Sequence, residues 1–254
     1  SNDEAVRGSP FPDMGKEESP NIASAKHEFP FVGLLKDCAK KKDLQQGSAL
    51  HADILDRRIL HGKSGPYVGS ALISMYAKCG ALAKAQEVLE TLPVRNVVSW
   101  NALIAVSAEH GDGNKSMQLF LQMQVEGFTP NEATFLSILS AFMDRPGPLA
   151  VKRIHALIRT YQFDGNIPIA NALITLYGKC GCIEDAHLVF YRMPNTNVIS
   201  WTAMIAAAAE CGWSKEVTLL LQKMQFEGVA PDKITFASSL SSCVKHESLL
   251  DGLW

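Results

Sequence analysis

The feature that most constrains this chain is that it repeats itself. Residues 70–105 align without a gap on residues 171–206, an offset of 101, and about half of the positions are identical. Ordinary composition gives a chance level of roughly one in fifteen to twenty. Val-Val-Ser-Trp at 97–100 meets Val-Ile-Ser-Trp at 198–201, and the stretch ending at Phe135 meets the one ending at Phe236. Upstream, Leu-His-Ala at 50–52 meets Ile-His-Ala at 154–156 with an offset of 104, so the first copy carries three extra residues between His51 and Tyr67.

A smaller period lies inside the large one. Asn-Ala-Leu-Ile occurs at 101–104 and 171–174, Ser-Ala-Leu-Ile at 70–73 and Thr-Ala-Met-Ile at 202–205, with spacings of 31 and 35 residues between units. Units of this length cannot bury an apolar face alone and fit a stacked helix-turn-helix solenoid. Leu103, Ile104 and Ser107 follow helical spacing, as do Met117, Phe120, Leu121 and Met123 in the next segment. His110 to Asn114 breaks between them, and Gly127 to Pro130 ends the second helix. Asn131 and Asp232 are placed as N-caps of the helices that follow. No alternating stretch argues for a strand.

Composition narrows the function classes. The formal net charge is −2, which excludes gripping a polyanion by bulk positive charge alone but not a local basic face. No apolar run of about 18 residues is present, so no membrane partner is expected. Four of the six cysteines recur with the repeats, Cys79 and Cys180 in matching Lys-Cys-Gly triplets and Cys38 and Cys243 after matching Leu-rich runs, which reads as packed thiols in a reducing compartment. Cys180-Gly-Cys182 matches no common zinc spacing, so no metal and no cofactor is expected. No phosphate-cradling Gly-rich loop, Gly-x-Ser-x-Gly elbow or zinc-deaminase signature occurs, so the segment is expected to catalyse nothing.

The ends read differently from the middle. Pro10, Pro12, Pro20 and several acids break any period in residues 1–27, expected to be a disordered or loosely docked leader. Ser1-Asn2 with no initiator Met reads as a tag scar, with any targeting region missing. Residues 233–254 restart a unit and stop at Trp254, as if inside a longer array.

Asn-Ala-Leu-Ile, Tyr-x-Lys-Cys-Gly, Val-Val-Ser-Trp and Gly-x-x-Pro-Asn/Asp in helical hairpins of this period resemble the plant pentatricopeptide repeat family. More closely, they resemble its subclass that alternates long, short and standard motifs. The parse is long 28–65, short 66–96, standard 97–131, long 132–166, short 167–197, standard 198–232 and a partial long motif 233–254. The departure is the insertion around Arg57–Ser64. The resemblance implies an all-α, right-handed α-solenoid that binds single-stranded RNA, one base per repeat. The fifth and last residues of a motif then face the base. These pairs are Ser70 with Asn96, Asn101 with Asn131, Leu136 with Asn166, Asn171 with Asn197, and Thr202 with Asp232. The second residues, Tyr67, Val98, Ala133, Pro168 and Ile199, pack on the base plane, and Pro168 departs from the usual small aliphatic residue.

Elementary chemistry extends the reading. Ionised Asp232 only accepts hydrogen bonds, which suits the two donors on guanine's Watson–Crick edge. Asn carries both a donor and an acceptor and can match either pyrimidine, with C favoured by the family's pattern. Ser70 with Asn96 resembles the adenine type, and Leu136 cannot hydrogen-bond. The expected core is 5′-A-C-N-C-G-3′, with U tolerated at the C positions. Each of the last residues is also an ordinary helix cap, but their recurrence in register with a polar fifth residue favours base reading. Trp100 and Trp201 are expected to pack between hairpins, and His51 and His155 to hydrogen-bond between repeats. Lys40–Lys42 are read as a solvated loop. Similar proteins act in chloroplasts or mitochondria, in C-to-U editing or transcript processing, with a deaminase in a C-terminal extension or in trans. The competing class is a protein-interaction scaffold. If RNA is the ligand, the base-facing groove should be neutral to mildly positive.

Overall fold

The computed structural model describes residues 22–240 except 145, with side chains from residue 30 onward. Twelve α-helices follow one another in this span: α1 (Ile22–Lys41), α2 (Leu44–Asp56), α3 (Gly65–Lys78), α4 (Leu82–Thr91), α5 (Val97–Glu109), α6 (Gly113–Val125), α7 (Glu132–Ala141), α8 (Pro148–Thr160), α9 (Ile167–Lys179), α10 (Ile183–Arg192), α11 (Val198–Glu210) and α12 (Ser214–Phe226). Residues 233–240 are helical as well. No strand occurs among the described residues.

The odd-numbered helices stack on one another in chain order, α1 on α3, α3 on α5 and so on to α11. Each even-numbered helix from α2 to α10 packs against its hairpin partner and the first helix of the next pair. This two-layer stack is an α-solenoid of helix-turn-helix repeats. One hydrophobic core runs without a break from Phe31 to Met224. The hairpin stops are local: Gly80 and Gly181, the glycines of the two Lys-Cys-Gly triplets, sit at φ 80° and 70°. There they close α3 and α9 in the left-handed conformation that side chains resist.

From α5 onward, every odd helix up to α11 opens at the residue where the sequence places the start of a unit. At the N-terminal end the boundary differs. Residues 22–27, expected in the leader, form the first turns of α1, and residues 1–21 lie outside the described residues. The insertion becomes a 3-10 turn, Ile59–His61, that buries Ile59 and Leu60 against the core. Leu60's carbonyl oxygen then lies so close to Gly65 that a Cβ there would meet it at 2.1 Å. Lys40 and Lys41 belong to the last turn of α1, not to a loop. In α6, Phe120 and Met123 are buried as expected, but Leu121 is half-exposed and stands off the stripe. Trp100 and Trp201 are fully buried, Trp201 edge-on to Phe190 of the preceding hairpin at 4.8 Å. His51 and Tyr76 share a hydrogen bond of 2.9 Å between α2 and α3, and His155 and Tyr177 share its copy between α8 and α9, also 2.9 Å. The described cysteines, Cys38, Cys79, Cys180, Cys182 and Cys211, form no disulfide, and Cys243 lies outside the described residues.

Candidate nucleic-acid interface

The first turn of each odd helix is where the candidate residues collect, and capping chemistry puts them there. Asn96, Asn131, Asn166 and Asn197 are the N-caps of α5, α7, α9 and α11, each accepting the N–H three residues on through its Oδ1. Asp232 does the same, Oδ1 accepting the Thr235 N–H at 2.8 Å. Capping satisfies an orphan donor of the helix end. It also fixes the side chain, with Oδ1 turned inward and the rest of the amide or carboxylate turned out. The Thr235 N–H and hydroxyl hold Asp232's carboxyl below its usual pKa, so it is ionised at neutral pH.

The fifth residues sit one helical turn further in, and the structure joins them to the last residues unequally. Asn101 Nδ2 donates to Asn131 Oδ1 at 2.9 Å. Thr202 reaches Asp232 through a third group: the Thr202 and Thr235 hydroxyls are 2.7 Å apart, and Thr235 Oγ1 donates to Asp232 Oδ1 at 2.8 Å. The other pairs share no such bond. Ser70 is buried and its hydroxyl donates to its own helix at Pro66 O, 2.7 Å. Asn171 Oδ1 is buried without a partner. Leu136 packs against the core, and Asn166 Nδ2 donates to Glu132 Oε2 at 2.9 Å.

The second residues share one trait that packing does not explain. Tyr67, Val98, Ala133, Pro168 and Ile199 are all exposed, with Tyr67, Val98 and Ile199 at 66%, 52% and 65%. An apolar residue exposed once is ordinary. The same position exposed in five consecutive repeats is a row along the rim of the odd-helix layer.

An open groove of about 870 Å³ runs across α1, α3, α5 and the start of α7. It gathers Tyr67, Ser70, Val98, Asn101, Asn131 and Ala133 over a floor of small residues, Ala71, Ser74, Ala102 and Ala105. Lys36, Lys40 and Lys78 line it and no carboxylate does, so its charge is mildly positive on a chain of net charge −2. Sequence reasoning missed Lys36 and Lys78, and it set Lys40 in a solvated loop. It also missed the hydroxyls of Ser99, Thr134, Ser200 and Thr235, three residues past four of the five caps, Asn166 being followed there by Ile169. Their signal was present as a recurrent Ser or Thr at that register, but the position reads as half of a capping box.

Among the described residues no cluster of His, Cys, Asp and Glu is arranged to hold a metal ion, and no helix is long and apolar enough to cross a membrane.

Comparison with known proteins matches this geometry to a family. The model of the PPR repeat family matches residues 95–144, and that of the PPR repeat matches 70–97, 169–198 and 199–229. A chloroplastic pentatricopeptide repeat-containing protein of Arabidopsis thaliana is 36% identical over 226 residues, covering 89% of this chain and 36% of that one. A mitochondrial one from the same plant is 35% identical over 225 residues, covering 89% and 22%. The chain thus spans between about a fifth and two fifths of these relatives' length. The crystal structure of the maize pentatricopeptide repeat protein PPR10 shares the fold, with a TM-score of 0.69 at 17% identity over 85% of this chain and 31% of that one. The same maize protein in complex with an 18-nt psaJ RNA element gives 0.62 at 19% identity over 76% and 29%. With repeat models matched in both halves and relatives along nearly nine tenths of its length, the chain belongs to the pentatricopeptide repeat family.

Proposed function

We propose that this chain binds single-stranded RNA along the odd-helix groove, reading one base per repeat. The observation that carries this is the row of exposed second residues in register with the polar fifth and last residues, its N-terminal part, Tyr67 to Ala133, lying in one mildly positive groove. Stacking on the second residues supplies sequence-tolerant affinity, and the polar pairs select the base. The maize relative in complex with RNA and the chain's repeat family support the same reading.

The reading follows the hydrogen-bond chemistry pair by pair. Ser70, its proton donated to Pro66 O, offers an acceptor, and Asn96, its Oδ1 held by the cap, offers donors. That pattern meets the N6 amino group and N1 of adenine, an edge cytosine shares through N4 and N3. Asn101/Asn131 and Asn171/Asn197 meet pyrimidines, Leu136/Asn166 selects weakly, and Thr202/Asp232 meets guanine. The core is 5′-A-C/U-N-C/U-G-3′, with the chain parallel to the RNA.

The role we assign is site recognition, with no catalysis by this segment. The alternation of long, short and standard motifs favours C-to-U editing in a chloroplast or mitochondrion, with the deaminase supplied by an extension or a partner, over transcript processing. A second reading, a protein scaffold, has one observation in its favour: Tyr191, Leu219 and Phe226 are exposed on the outer helices α10 and α12. Titration with a short RNA carrying the core, against a scrambled RNA at near-physiological salt, tests the proposal. Preferential binding of the core supports it; equal binding of the two RNAs moves the assignment to the scaffold.

A further inference from the structure

The two asparagine readers have identical pairs but different environments, and one difference touches the pair itself: the residue three past the cap is Thr134 in one and Ser200 in the other. Asn131 must turn Oδ1 inward, because only an oxygen can accept the Thr134 N–H, here at 3.1 Å. Asn101 therefore presents Nδ2 to that oxygen; the flipped amide would set two acceptors against each other. The Oδ1 of Asn101 is then free to accept the Thr134 hydroxyl proton, at 2.7 Å. Asn131 Oδ1, the hydroxyl's other acceptor, is farther at 3.1 Å and already takes two N–H donors, so the proton goes to Asn101. What remains outward is one N–H of Asn101 and the amide N–H groups of Asn131. All are donors.

The other threonine sets the opposite polarity. Thr235's single hydroxyl proton goes to the Asp232 carboxylate, the stronger acceptor, at 2.8 Å. In the 2.7 Å contact between the two hydroxyls, Thr202 is thus the donor. Thr202 and Asp232 are left with outward acceptors only.

In the two repeats followed by serine this linkage is missing. Ser99 Oγ donates to Asn96 O at 2.8 Å, and Ser200 Oγ donates to Asn197 Oδ1 at 3.1 Å. Ser70 turns to its own helix and Asn171 Oδ1 stays unpartnered. All four hydroxyls take part in the cap of their helix, and only those of Thr134 and Thr235 also reach the fifth residue. Threonine's branched Cβ restricts χ1 and holds that second contact, whereas serine's χ1 is freer.

We infer that Thr134 and Thr235 are positioning residues for specificity: each hydroxyl fixes whether its reading pair presents donors or acceptors. The inference rests on the RNA-reading proposal. Locked donors at Asn101/Asn131 fit cytosine, whose N3 and O2 are adjacent acceptors, and reject uracil, which sets its N3–H against a donor. In the Asn171/Asn197 pair the cap fixes Asn197, but the unpartnered amide of Asn171 can turn, so the pair takes either pyrimidine. Locked acceptors at Thr202/Asp232 fit the N1–H and N2 amino group of guanine.

The test is fluorescence anisotropy of the intact chain with RNAs carrying 5′-ACACG-3′ and single changes in it. The wild-type ratio of C over U should be greater at the second base than at the fourth by roughly three- to tenfold, the scale of one net hydrogen bond. Thr134→Ser keeps a hydroxyl for the cap, as Ser99 and Ser200 do, and should lower the second-base ratio to the fourth-base value. Ser200→Thr should raise the fourth-base ratio, and Thr235→Ser should lower G over A at the fifth base. A merely structural role would shift melting and overall affinity and leave these ratios alone. Equal ratios at the two bases in the wild type, or ratios unmoved by Thr134→Ser and Ser200→Thr, overturn the inference while core-over-scrambled binding stands. Loss of the core-over-scrambled preference in the wild type overturns the RNA-reading proposal and this inference with it.

Discussion

Asn96, Asn131, Asn166 and Asn197 cap helices through Oδ1, so capping leaves the Nδ2 end of each amide for other partners, Glu132 at Asn166 and, in the proposed reading, a base at the rest. The two roles looked like rivals in the sequence, since Asn before a helix is common in proteins of every function. The register of the asparagines was legible because a repeat exposes it. The links between side chains were not, because whether Thr134 reaches Asn101 depends on a rotamer, not on spacing. The second residues carry a prediction of their own. Tyr67 is 66% exposed, so Tyr67→Ala should leave the melting temperature within a few degrees of wild type. RNA affinity should fall by about 1–3 kcal/mol, the worth of one stacked base, in a binding titration. Buried titratable groups give a second. Burial holds His51 and His155 below the ordinary histidine pKa, with Arg159 adding to the effect at His155. The unfolded chain then binds more protons than the folded one as pH falls below about 6.5. Stability is full above that value and declines as pH drops through the depressed folded pKa values. Thermal melts at pH ~7.5 and ~5.5 should show the decline, and the double variant His51→Gln with His155→Gln should flatten it.

At the scale of the element, the hairpin explains itself from sequence apart from its contacts. Apolar spacing and the Gly of Lys-Cys-Gly place α3, α4, α9 and α10, and the capping asparagines place α5, α7, α9 and α11. Leu121 misled because period alone cannot say how far an apolar stripe wraps a helix that only two neighbours cover. The insertion was legible as three extra residues but not as a plug, since burial of Ile59 and Leu60 depends on the gap between α2 and α3. Two glycines mark where backbones approach most closely. A Cβ on Gly178 would lie 2.6 Å from Ala207 Cα, where α9 crosses α11, and one on Gly65 would strike Leu60 O. Gly178→Ala and Gly65→Ala should each destabilise by about 1–3 kcal/mol, read as a lower midpoint in urea unfolding.

Across the whole molecule, neighbours touch only neighbours, so stability accumulates along the stack instead of closing into one globule. Outer helices are tied side by side by polar contacts, an ion pair of Lys152 with Asp185 at 3.0 Å and an approach of His187 Nε2 to Glu216 at 3.6 Å. A solvent-facing ion pair such as Lys152 with Asp185 contributes little energy singly. The net charge of −2 hid the groove's sign, because three lysines on one face vanish in a chain-wide sum. If Lys36, Lys40 and Lys78 are the groove's phosphate contacts, the slope of log affinity against log salt should be shallow, roughly −2 for single-stranded RNA. A much steeper slope would place the RNA on another surface. The central claim is that side-chain pairs in register choose the base, and it can be tested by moving one pair's identity to another place. The double variant Thr202→Asn with Asp232→Asn, keeping Thr235, copies the Asn101/Asn131/Thr134 arrangement into the repeat at 198–232. In competition binding with RNAs differing only at the fifth base of the core, its preference should move from guanine to cytosine, at about 1–3 kcal/mol per base contact. A variant that melts like the wild type and still prefers guanine would contradict the account.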